Sequence, residues 1–262
     1  MTDIVKYEAS QRARGTLTLI VVLSLYLYVL VYMFPTIAQV GDAFEEYAQA
    51  LPDALQASFG VESITTIEGF LATEIYQFIW VLMMGLYFTY LGGALVASEI
   101  ESGRIDLLLA TPISRKRFVV EKYLSLLVPL VAINLVMPVV VLAAVASIGE
   151  SLSPIDLVVL HAFSIPYLLA TAAIGLGLSV RFDRADIPQR AGLGVLFALF
   201  TLESVTVDSD LEWLGAISPT RYYDPTEILV HSEYDVTGAL TLLIAAGVMV
   251  MLATEWFIRR DV

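Results

Sequence analysis

The sequence predicts an all-α membrane protein with six transmembrane helices. Both termini lie in the cytoplasm, and a short amphipathic helix joins spans two and three. Three observations predict this. First, 58% of the 262 residues are apolar and only 16% are charged, against ~25% charged in a typical soluble domain. Too few polar residues remain to cover a soluble surface, and mean hydropathy is +0.79. Second, the apolar residues fall into six runs, 17–34, 76–97, 123–148, 157–180, 191–207 and 236–258, of 18, 22, 26, 24, 17 and 23 residues. A bilayer core takes roughly 17–25 residues of helix. Third, 13 of the 14 basic residues fall on one side of a six-span arrangement, and only Arg221 falls on the other. Cytoplasmic loops carry this excess of Lys and Arg.

Each element then has a local justification. Residues 1–16 carry Lys6, Arg12 and Arg14 and form a cytoplasmic lead-in helix. The first apolar run is longer than the 7–15 residues of a signal-peptide core, so it is a permanent span. The external region 35–75 mixes Phe44, Tyr47, Leu51 and Leu55 with carboxylates at helical spacing, as amphipathic capping helices would. In the third span Pro129 and Pro138 flank Asn134, a residue that glues helices together or lines a pathway. The fourth span contains His161 and Pro166, and its Ala173/Gly177 pair is a small-residue packing face. Glu203 stands near the outer end of the fifth span, Glu74 just before the second. External regions 149–156 and 208–235 and cytoplasmic loop 181–190 complete the path, which ends in the cytoplasmic tail 259–262.

The external regions hold most of the acid. Counted from Leu202, the last of them brings the external share to 17 of the 27 carboxylates. With 11 Arg to 3 Lys, no cysteine and a pI of about 4.4, this balance fits a halophile's surface better than a cation-collecting vestibule.

Searches for chemistry exclude several classes. There is no GxxxxGK[ST], GxGxxG, HExxH or GxSxG. Without cysteine, and with only His161 and His231, a zinc site is not expected. No metal, cofactor, catalytic residue or nucleic-acid partner is expected on this chain.

The most informative segment is the cytoplasmic loop 98–122. Ile105, Leu107, Leu108 and Leu109 sit between charged flanks. Gly103 permits an abrupt turn, and Asp106 suits a helix N-terminus. Pro112 ends the short helix. Ser114 or Thr111 can cap the next one, and Arg115, Lys116 and Arg117 anchor it at headgroups. An exposed apolar helix of this kind either lies on the membrane or docks on a cytoplasmic partner.

The pattern Glu101, Gly103, Leu107-Leu108-Leu109, Pro112, Ser114-Arg115, Lys122 resembles the ExGxxxxLLxxPxSRxxxxxxK stretch of type-2 ABC (ATP-binding cassette) exporter permeases. The terminal Phe257-Ile258-Arg259-Arg260-Asp261 resembles that family's F-x-R-R-D end. Ser218-Pro219 with Tyr222-Tyr223-Asp224-Pro225 resembles its segment before the last span. Glu121 stands where the family often has Gly. The resemblance covers essentially the whole chain, 1–262, as one permease domain. It implies a plasma-membrane exporter subunit whose loop 98–122 is the coupling helix, with Glu101, Gly103, Arg104, Asp106, Leu107, Leu108, Leu109, Pro112, Ser114 and Arg115 meeting a separate ATPase subunit. It also implies ATP and Mg on that subunit, a second copy of this permease or a related one, and an external gate of short re-entrant helices within 202–235. A membrane scaffold and a gradient-driven carrier are the alternative functions. Sparse midplane carboxylates and the lack of an inverted repeat weigh against the carrier.

Overall fold

The computed structural model describes residues 3–38, 66–105, 113–207 and 209–260. Among these residues the fold is all-helical. Helix α1 spans Asp3–Ala38, so the lead-in and the first apolar run form one continuous rod. The second membrane helix starts at Ile67, where the Thr66 side chain caps α2 (Ile67–Phe70). It continues as a π-helix, π1 (Leu71–Met84), and then as α3 (Gly85–Ala94). A short α4 (Ala97–Glu101) follows. Helix α5 (Arg115–Leu124) runs through a break at Ser125 into α6 (Leu127–Ser147). Then come α7 (Pro154–Ser179) and α8 (Asp186–Thr206). Two 3₁₀ turns, Glu212–Ile217 and Pro219–Tyr222, and α9 (Pro225–Leu229) lead to α10 (Val236–Ile258).

Five helical stretches are long and apolar enough to cross a membrane, beginning at Ile4, Ile67, Arg115, Pro154 and Val236. Helix α8 is long enough, but Asp186, Arg190 and Glu203 dilute its apolar run. The external capping helices expected within 35–75 lie mostly outside the described residues.

Helix α7 is the hub. It packs against α3, α6, α8, α9 and α10, while α1 lies at the edge against α5 and α6. Exposure follows from this: about two-thirds of the α7 apolar window is buried but only 17% of that of α1. The tight crossing is between α3 and α7. A Cβ at Gly92 would stand 2.1 Å from the Ala172 carbonyl oxygen, and one at Gly175 the same distance from that of Thr89. The Thr89 hydroxyl donates to Thr171 O across this crossing at 3.0 Å. Small residues let backbones approach without a hydrophobic drive between helices. The Ala173/Gly177 face expected from the sequence is therefore only half right: Ala173 is buried, but a Cβ at Gly177 would meet nothing.

Backbone groups freed by breaks find partners inside the bundle, as a lipid environment demands. Where α3 ends, Val96 N–H and Ala97 N–H both donate to the Ser179 hydroxyl of α7 at 3.0 Å. Tyr123, Tyr167 and Tyr223 donate to the carbonyls of Leu169, Val81 and Leu160. Tyr223 is buried and stacks on Tyr167 at 5.3 Å. It is a core residue, whereas Trp213 and Ile217 are exposed.

Candidate functional site

The described charged groups meet mainly at one end of the bundle, where the basic residues collect. Lys122 on α5 is 4% exposed at its side chain and lies between two carboxylates. Its Nζ reaches Glu8 Oε1 of α1 at 2.5 Å and Glu99 Oε1 of α4 at 2.7 Å. Arg12 holds the other Glu8 oxygen at 2.9 Å. Arg104 forks onto Glu99, with Nε at 2.9 Å from Oε2 and Nη2 at 3.2 Å from Oε1. Two acids and three bases, from α1, α4, the turn after it and α5, thus form one chain of ion pairs. Burial pushes the Glu99 carboxyl upward, but the hydrogen bonds and charges of Arg104 and Lys122 outweigh it and hold it below its ordinary value. Glu121 is also buried and paired, with Arg117 at 2.7 Å.

This network grips both feet of the loop that leaves α4 and returns at α5. The expected site residues divide around it. Glu101 is exposed and accepts a hydrogen bond from Ala185 N–H at 3.0 Å, tying the loop to the segment between α7 and α8. Gly103 has φ +67, so the abrupt turn is real and disfavours a side chain. Arg104 faces Glu99, and Ile105 is buried. Asp106, Leu107, Leu108, Leu109 and Pro112 lie outside the described residues. Ser114 caps α5, accepting from Arg117 N–H at 3.2 Å.

Arg115 turns inward to the last helix. It donates to the carbonyls of Arg260 and of Phe257 and lies 5.7 Å over the Phe257 ring. A cation there complements the negative end of α10. Arg260 in turn bonds Val180 O and pairs with Asp183. Sequence segments 145 residues apart thus share one frame: the loop feet, the α7–α8 turn and the residues after α10.

A family model described as "ABC-2 family transporter protein" matches residues 2–262. The chain belongs to the ABC-2 transporter family. It is a membrane-spanning permease. No curated protein compared with it matches. In this permease, Glu101, Ser114, Arg115, Lys122 and Arg260 make the contacts described above at the basic end.

A second polar cluster lies inside the bundle. Asn134 of α6 and His161 of α7, which the sequence did not connect, touch. His161 Nδ1 is 2.9 Å from Asn134 Oδ1, and Ser164 donates to the same oxygen at 2.6 Å. Asn134 Nδ2 donates to Leu130 O, so Oδ1 can only accept. His161 therefore carries its proton on Nδ1, and Tyr76 of π1 donates to Nε2 across 3.0 Å. Trp80 meets the imidazole edge-on at 4.8 Å. Asn134 thus links α6 to α7 through its Oδ1 while its Nδ2 stays on its own helix. Glu203 belongs to neither cluster. It lies at the acidic end, 3.9 Å from Arg221, which Glu212 holds at 2.5 Å. Gly215 packs closely beside it, so that a Cβ there would displace the Glu203 carboxylate.

Sequence reasoning missed Glu8, Glu99, Tyr76 and Trp80. The Glu8/Arg12 and Arg117/Glu121 spacings of four were the only local signals available.

Proposed function

We propose that this permease is the membrane half of an ATP-driven exporter, working as a homodimer or with a related permease on two separate ATPase subunits that carry ATP and Mg. In this reading the basic end is cytoplasmic, α8 is the fifth of six spans, and residues 98–122 hold the coupling helix. The observation that carries the reading is the network of buried Glu8, Lys122 and Glu99, with the exposed Arg104 at its edge. A loop gripped at both feet by α1, α4 and α5 transmits a push to the membrane helices instead of bending. ATP drives the transport cycle only if it binds one arrangement of the ATPase pair more tightly than the other, and a stiff loop passes that preference on. Among the described residues no cluster of His, Asp or Glu fits a metal ion. The Tyr76–His161–Asn134 chain contains no carboxylate, which favours an ATP-driven device over a proton-coupled carrier.

The test is reconstitution. The chain is tagged in its native membrane, extracted at high salt, and its companions are identified by mass spectrometry. A stoichiometric P-loop ATPase is expected. Arg104→Glu combined with Ser at positions 107, 108 and 109 should then leave the protein inserted and abolish ATP-driven transport. Intact transport in that variant overturns the coupling-helix assignment, and a native complex with no ATPase overturns the whole reading and favours an assembly factor.

A further inference from the structure

We propose that the basic end of the bundle holds a site for an anionic phospholipid, between α7, α8 and α10. The site is a groove of about 410 Å³ lined by Ile174 and Gly177 of α7, Val195 of α8, and Met249 and Leu252 of α10. Its walls are almost wholly apolar. Arg181, at the end of α7, and Trp256 stand at its mouth. Leu252 and Trp256 also line an adjoining hollow of about 600 Å³, which is bordered by Glu255, Arg259 and Arg260. The two hollows form a channel with an apolar half and a charged half, and this matches the two halves of a phospholipid.

Charge decides which lipid. Arg260 is committed to Asp183 and the Val180 carbonyl. Arg181 and Arg259 are exposed, and among the described residues neither is paired with a carboxylate. Arg181 lies flat over the Trp256 indole at 4.4 Å, which fixes its guanidinium at the rim of the groove. Glu255 is the opposing charge, so the rim is net positive. Basic pockets between membrane helices hold anionic headgroups, each Lys or Arg contributing about five-fold in binding. Gly177 supplies the room. It is the helical position where α7 could carry a side chain without touching α3, and that space opens into the groove. This inference rests on the basic end lying at a membrane surface and is independent of any ATPase.

The probes are phosphatidylglycerol and phosphatidylcholine of equal chain length, titrated into the detergent-purified chain, together with any companion subunit, and read by native mass spectrometry and thermal shift. The wild type should bind phosphatidylglycerol at least ten-fold more tightly and be stabilised by it. Arg181→Gln with Arg259→Gln should lose about 25-fold for phosphatidylglycerol and little for phosphatidylcholine. Gly177→Leu, which adds a side chain to the groove wall where a Cβ meets open space, should lose both while melting unchanged in lipid-free detergent. Equal affinity for the two lipids, no binding by the wild type, or unchanged binding by Gly177→Leu overturns the proposal. Loss of self-association in Gly177→Leu does so too, because the groove would then seat a second copy of the chain. Cysteine labelling of the two ends, described below, tests the membrane placement separately.

Discussion

Lys122 illustrates what a single residue does here. Its ammonium is buried and shared between Glu8 and Glu99. Removing one member of a buried ion network leaves an uncompensated charge, at a cost of about 3–5 kcal/mol. Lys122→Met should therefore lower the unfolding temperature in detergent sharply, and a change within error would show that water already reaches the network. Glu99 adds a pH dependence. Its folded value is depressed, so its contribution is complete above the ordinary carboxylate value near 4.5 and is lost as pH falls through the folded value. Melting curves should thus show a loss on acidification below about pH 4.5 that Glu99→Gln lacks. In the second cluster, His161→Phe and Asn134→Leu should be less than additive, with a coupling of about 0.6–1.7 kcal/mol as found for hydrogen bonds between membrane helices. A double-mutant cycle that closes to zero would mean that the Nδ1–Oδ1 bond contributes nothing.

At the scale of elements, the α3–α7 crossing sets how the bundle is assembled. Two backbones approach within reach of a carbonyl because Gly92 and Gly175 have no Cβ. Gly175→Ala should cost about 1–3 kcal/mol by overpacking, although alanine favours helix by about 1 kcal/mol. Gly177→Ala, on the same helix, meets open space and should be neutral or stabilising. If the two variants melt alike, the crossing is not close. The helix entering this crossing is also unusual. Long runs of i→i+5 bonding are rare and cluster at functional sites, and π1 presents Tyr76 and Trp80 to His161. The sequence places this span at 76–97, since hydropathy rises there. The helix extends back to Ile67 because Ile67, Phe70 and Leu71 are buried by neighbouring elements, a contact that no hydropathy window registers.

At the scale of the whole molecule, one-sided charge orients the bundle. The chain has no cysteine, so single cysteines can report topology without background. Ser10→Cys and Ser151→Cys lie at opposite ends and are exposed. In sealed right-side-out vesicles an impermeant maleimide should label Ser151→Cys and spare Ser10→Cys. The reverse pattern would invert the orientation, and equal labelling would break the six-span reading.

The sequence by itself determined the all-helical class, the long apolar helices and the family, because composition, local apolar runs and short motifs are sums over neighbouring residues. Val236–Ile258 matches its apolar run end to end. It also marked Gly103 as a turn and offered Ser114 or Thr111 as a helix cap, of which Ser114 does cap, since both effects act within a few residues. Only the tertiary structure decided which charges and polar groups meet. Lys122 finds Glu8 across 114 positions, and Tyr76 finds His161 across 85. Such pairings depend on how each helix is rotated and how closely its backbone can approach the next. Long-range packing sets both, and the α3–α7 glycines decide it by what they lack.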